Sequence, residues 1–280
     1  MTVLTLSPVR PRPLAVLTAA ALALLVLTLV WSLSDARLID GGPVWAKPMK
    51  FALSFVVLFG TLALVEARLS PAWRDGWLLR GTVVAMAVAM ILEMGYIITQ
   101  AAQGEASHFN FSTPYNAIMY GTVMAFGAFV LVAGVAVFGV AAARDRAARD
   151  RAARDRAARD RAATMGPALR QGVVWGFGLT LVLTLITAFT LGNMEGHFVG
   201  VPAPDAATIP LFGWSAAVGD LRPAHFLALH TMQALPLVGL WIDRRGGGAA
   251  WQVPAAAVIW VALTLGLFVQ GLLGLPLIRL

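Results

Sequence analysis

The chain has 280 residues, 59% of them hydrophobic and 12% charged, with a formal net charge of +7 and a mean hydropathy of +0.78. Soluble domains are about half apolar and a quarter charged, so the composition excludes an ordinary soluble domain and indicates a polytopic membrane protein. No cysteine occurs, which removes disulfides, thiolate metal sites and thiol nucleophiles.

Seven apolar runs follow in chain order, near residues 14–33, 48–66, 78–100, 116–142, 171–193, 224–242 and 254–276. Each is about the 20 residues that a helix needs to cross a ~30 Å hydrocarbon core. They are continuous rather than alternating, which favours helices over a barrel. The expected fold is all-α, a seven-transmembrane-helix bundle forming a single membrane domain over residues 1–280. The first run follows Arg10 and Arg12 as a secretory signal would, but it is longer than a signal core and Trp31-Ser32-Leu33-Ser34 offers no small-x-small cleavage site. It reads as the first helix.

The second run opens with Trp45-Ala46-Lys47-Pro48-Met49-Lys50-Phe51, which holds both lysines of the chain. These lysines either snorkel to the interface or bind an anionic substrate, headgroup or haem propionate, with Arg222 as a further candidate. In the third run Glu93, Tyr96 and Gln100 fall at i, i+3 and i+7, on one helix face. Glu93 lies inside the apolar zone, where an ionisable group is costly and usually functional. His108 follows in the polar loop Gln103 to Asn110, and Tyr115 and Tyr120 read as interfacial belt residues.

The fourth run leads into four copies of Arg-Asp-Arg-Ala-Ala at residues 144–163. A five-residue period rotates by about 140° per copy on a helix, so no apolar face accumulates. This connection between the fourth and fifth helices reads as a polar helix held by i, i+4 acid-to-base pairs, or as a solvated spacer. The fifth run ends at Gly192-Asn193-Met194-Glu195-Gly196-His197. Residues 194–223 then form a long connection, rich in proline and aromatic residues, that reads as an external loop or lid.

Asp220-Leu221-Arg222-Pro223 places proline at the start of the sixth helix. His225, His230 and Gln233 follow. His230 and Gln233 share a face, whereas His225 and His230 diverge by about 140°, unlike the i, i+4 pair of a zinc helix.

Arginine and lysine asymmetry sets the expected orientation. With seven spans, 16 of the 21 basic residues lie on the side of the N-terminus and the repeat. That side is expected to be cytoplasmic, which leaves the C-terminus external. Topology thus accounts for the basic charge, and no nucleic-acid partner is implied. All four histidines then fall at the external end.

Imidazole holds metals or haem and moves protons near neutral pH. The set His108, His197, Asp220, His225 and His230 therefore reads as a candidate ligand group for zinc or copper, with Glu93 and Glu195 as candidate acid–base residues. Lys47, Lys50, Arg222 and Gln233 are candidate cofactor contacts. No nucleotide-binding glycine loop, P-loop or nucleophile elbow is present. Three classes follow: a hydrolase-like metal enzyme, a b-type haem or quinone redox protein, and a proton-coupled transporter or sensor. Their partners would be the bilayer and a lipid or quinone substrate. The adiponectin-receptor and ceramidase type of seven-helix zinc hydrolase offers a fold-level comparison, but its final-helix H-x-x-x-H is absent here.

The segments W-A-K-P-M-K-F, S-H-F-N, G-D-L-R-P-A-H-F and H-T-M-Q-A-L-P together resemble a group of uncharacterised bacterial seven-helix membrane proteins. The resemblance covers most of the chain except the Arg-Asp repeat. It implies multi-pass residence in a bacterial inner membrane and marks these positions, and it implies no mechanism.

Overall fold

A computed structural model describes residues 12–39, 41–145, 165–194, 196–203, 205–210 and 212–279. Among them, seven helices are long and apolar enough to cross a membrane: α1 (Pro13–Trp31), α2 (Ala46–Glu66), α3 (Trp77–Gln103), α4 (Pro114–Arg144), α5 (Pro167–Gly192), α6 (Arg222–Arg244) and α7 (Gln252–Leu272). The architecture is an all-α polytopic bundle. Most of the Arg-Asp-Arg-Ala-Ala repeat, and with it both the polar-helix and the spacer readings, falls outside the described residues, as does Glu195.

Helix ends follow local chemistry. Pro13, Pro114 and Pro167 open α1, α4 and α5, where a missing N–H leaves no hydrogen bond unmade. Thr113 caps α4 by accepting from the Asn116 N–H at 3.1 Å. Gly104 ends α3 in the left-handed region at φ 79°, a conformation that favours glycine. Within α4, Met119–Met124 form a π-helical turn, the kind of widened turn that recurs at functional positions.

Consecutive helices pack as neighbours from α1 to α7, and α7 also reaches α5. Phe55, Phe59 and Leu62 of α2, Met86 and Met90 of α3, Phe138 of α4 and Phe177 of α5 form one buried core. At α5–α6, Cβ atoms added at Gly172 and Gly239 would run into the backbone at Leu235 and at Ala168, and one at Gly176 would lie 3.0 Å from the Thr231 carbonyl. These two helices therefore touch backbone to backbone, as small-xxx-small faces allow in membranes.

The four described histidines sit at one end of the bundle and the flanks of the repeat at the other. At the repeat end, carboxylates close backbone donors. Asp243 accepts from the Ala168 and Leu169 N–H groups at 3.2 and 2.8 Å, capping α5. Asp145 accepts from the Ser70 N–H at 2.6 Å.

At the histidine end, β1 (Leu38–Ile39) pairs with β2 (Gly42–Pro43). The α5–α6 connection folds into two nested antiparallel ladders. β3 (Phe198–Val199) pairs with β6 (Gly219–Asp220), and β4 (Thr208–Ile209) with β5 (Trp214–Ser215). Asp220, 0% exposed at its side chain, pins this connection. Its oxygens accept from the Ser215 and Arg222 N–H groups at 2.9 and 3.0 Å and from the Arg222 guanidinium at 2.6–3.1 Å.

Candidate functional site

The Glu93, Tyr96 and Gln100 face of α3 is buried against α4 and the loop that precedes it. Tyr96 Oη and Gln100 Nε2 both donate to Asn116 Oδ1, at 3.1 and 3.2 Å. Asn116 Nδ2 donates to Ser112 Oγ at 3.1 Å, and Ser112 Oγ donates to Asn110 Oδ1 at 2.6 Å. A continuous polar ladder thus runs from exposed Ser112 to buried Tyr96, one helical turn above Glu93. Every donor on the route from Tyr96 points toward the loop, so the Tyr96 oxygen keeps its acceptor capacity.

Glu93 is 4% exposed, and its Oε1 has no hydrogen-bond partner. It is the one carboxyl oxygen so placed among the described residues. The carboxyl fits because α4 presents Gly127, where an added Cβ would lie 2.8 Å from Oε1. A polar group buried without a partner typically costs a few kcal/mol, and an unpaired charge far more. The position stands out for that reason.

The four histidines share an end of the bundle but occupy separate surroundings. His108 Nδ1 lies 3.1 Å from Ser107 Oγ, and its ring packs against Phe51 and Tyr120 at 5.4 and 5.6 Å. Burial, assisted by the Lys47 charge, lowers the His108 pKa to about 3. Phe109 adopts φ 55°, an unusual backbone state for a bulky residue, and its ring stands between Tyr120 and His197 at 5.2 and 6.4 Å. The His197 ring packs at a tilt against Phe198, with centroids 4.1 Å apart. Its pKa falls to about 4, first through burial and then through Arg222, with Asp220 opposing.

His225 points to α5, where its Nδ1 meets Thr187 Oγ1 at 3.0 Å. His230 points to α2 through a satisfied chain. Its Nδ1 donates to Gln233 Oε1 at 3.1 Å, Gln233 Nε2 donates to Thr61 Oγ1 at 3.3 Å, and Thr61 Oγ1 donates to the Val57 carbonyl at 2.7 Å. The expected divergence of His225 and His230 therefore takes the form of two different partner helices.

Among the described residues, no group of three His, Asp or Glu side chains comes close enough to hold one metal ion. Of the candidate cofactor contacts, Arg222 clamps Asp220, donates to the Gly213 carbonyl at 2.7 Å and lies over the Phe198 ring at 5.2 Å. Lys50 Nζ donates to the Phe212 carbonyl at 3.3 Å, tying α2 to the α5–α6 connection. Lys47 lies near enough to His108 and His197 to oppose their protonation. Gln233 serves the His230 chain.

Asn116 and Gly127 stand outside the candidates drawn from the sequence, since neither titrates nor ligates a metal. Asn116 was findable as an amide two residues into α4 after a Thr-Pro cap. Gly127 carried no signal, because its role exists only against Glu93.

Comparison with protein-family models, with curated proteins and with solved structures finds no match for this chain.

Proposed function

We propose that the protein binds and releases a proton at Glu93 in the course of proton-coupled transport or sensing across a membrane. The observation that carries this reading is the Glu93 carboxyl, buried without a partner at Oε1 and one turn below a ladder that reaches exposed Ser112. An unpaired carboxylate within the hydrocarbon is strongly disfavoured. Ionisation must therefore bring in water or move α3 against α4. Gly127 and the π-helical turn of α4 supply the slack for such a movement. When protonated, Glu93 can donate toward the Tyr96 oxygen, and a bridging water completes the step.

The arginine asymmetry supports placing the histidine end outside a bacterial inner membrane. The segments quoted above support grouping the chain with the bacterial seven-helix proteins that it resembles. A zinc, copper or haem b centre would draw on the same end, but among the described residues no three His, Asp or Glu side chains come together there, and His108, His225 and His230 stand in separate surroundings.

Infrared difference spectra across a pH step, taken on protein in lipid vesicles, test the proposal. A protonated-carboxyl C=O band should change with pH in the wild type and vanish in Glu93→Gln. Carbodiimide should label the wild type at position 93 and leave the Glu93→Gln protein unlabelled there. A band that persists unchanged in Glu93→Gln would overturn the reading.

A further inference from the structure

The two directions out of Glu93 differ. Toward the histidine end, the Tyr96–Asn116–Ser112 ladder begins one turn away. The titratable groups around this stretch stand at the same end: Tyr115 and Tyr120 on α4, Glu105 and His108 in the loop before it, and Lys47 and Lys50 at the start of α2. No charged side chain among the described residues stands near enough to act on Glu93 itself. Toward the repeat end, residues 83–92 of α3 and 125–143 of α4 carry no polar side chain. Met86 and Met90 of α3 pack there with Phe59 and Leu62 of α2, Phe138 of α4 and Phe177 of α5, and Gly134 receives Met86. The flanking stretches, residues 13–31 of α1, 51–65 of α2 and 171–192 of α5, hold no titratable side chain. From Glu93 to Arg80, the first charged residue of α3 in that direction, the helix spans about 20 Å. A buried water needs two or more polar partners, and this packing offers it no side-chain partner.

The helices are also pinned at the repeat end and slack at the other. Asp145, where α4 ends, is buried, and its carboxyl accepts at 2.6 Å from the N–H of buried Ser70, in the connection that leads into α3. A carboxylate-to-backbone bond is stronger than a neutral one. The slack, Gly127 and the π-helical turn Met119–Met124, lies level with Glu93 and nearer the histidines. Separation of α3 from α4 therefore opens toward the histidine end. The geometry points to a one-sided acid sensor: Glu93 takes up and releases its proton through the histidine end alone, and the apolar plug closes the repeat end. The inference rests on the proton reading of Glu93 and narrows it to sensing.

The test uses the full chain in vesicles sorted by capture of a C-terminal tag into histidine-end-out and repeat-end-out populations, with the lumen strongly buffered. An acid step outside should change the Glu93 infrared band fully in the first population and leave it unchanged in the second. Lumenal pH should drift at the same rate in wild type and Glu93→Gln. Met86→Ser, which sets a hydroxyl and free space in the plug, should admit a response from the repeat end, whereas Met86→Leu should keep the wild-type behaviour. Equal responses in the two populations, a response from the repeat end alone, or faster lumenal acidification by wild type than by Glu93→Gln would overturn the one-sided inference and leave the proton reading standing, as transport. No response in either population, nor to a step on both sides with a protonophore, would overturn the proton reading and this inference with it.

Discussion

The α3–α4 and α5–α6 interfaces use the same device, glycines on one helix that admit groups from the next, and put it to opposite ends. On α5, Gly172 and Gly176 receive the backbone of α6 around Leu235 and Pro236. The polar groups around that contact are largely matched. His225 meets Thr187, Asp243 caps α5, and Trp260 of α7 donates to Thr231 Oγ1 at 2.9 Å. On α4, Gly127 and Gly134 receive side chains of α3, Glu93 and Met86, and the carboxyl that enters is left unmatched at Oε1. Backbone contact with matched polar groups makes a rigid pair. Side-chain contact around an orphan carboxyl makes the pair that, on the proposed function, a proton resets.

The sharpest way to break this contrast is Gly172→Leu. The new side chain meets backbone that cannot yield, so destabilisation of about 3 kcal/mol is expected, read as lost monodispersity and a collapsed melting temperature. If Gly172→Leu melts like wild type, α5–α6 is not the rigid pair described.

Glu93→Leu should act in the opposite direction. Replacing an orphan polar group by an apolar one is expected to stabilise by about 1–2 kcal/mol while abolishing pH-driven infrared changes. A loss of stability instead would mean that the carboxyl has a structural partner.

Gly127→Ala should be milder than Gly172→Leu, about 1 kcal/mol of destabilisation. The atom its methyl meets is the free end of Glu93, which can swing away. The informative readout is an altered Glu93 band with the melting temperature nearly kept.

The most local effect expected is acid loosening of the histidine end. His108 and His197 have folded-state pKa values lowered to about 3 and about 4, below the ordinary ~6.5. Their contribution to stability is therefore fully present above ~6.5 and declines as pH falls through the two folded values. Hydrogen exchange corrected for its intrinsic pH dependence should rise in residues 104–113 and 196–221 on acidification, while α5 and α6 stay protected. Uniform exchange along the whole chain would erase the distinction between the two pairs.

Much of this was readable in the residues. The seven spans lie within a few residues of the apolar runs, because bilayer thickness sets helix length. Helices α4 and α5 begin earlier than the runs, at Pro114 and Pro167, because a helix continues past the hydrocarbon wherever capping permits. The shared face of Glu93, Tyr96 and Gln100 was legible from 3.6-residue periodicity, as was the divergence of His225 from His230. Gly172-Val-Val-Trp-Gly176 is a small-xxx-small signal that anticipates the α5–α6 contact. Asp220 shows the limit. As a sequence position beside histidines it reads as a ligand, yet Arg222, two residues on, engages both of its oxygens.

The sequence by itself determined the membrane class, the number of spans and the shared end of the histidines, since these depend on periodicity and on hydrocarbon thickness, which act along the chain. Only the tertiary structure decided which polar groups satisfy one another. That depends on distances of a few ångströms between helices far apart in sequence. It joined Tyr96 to Asn116 and His230 to Thr61 through Gln233, and it left Glu93 Oε1 against Gly127 with no partner.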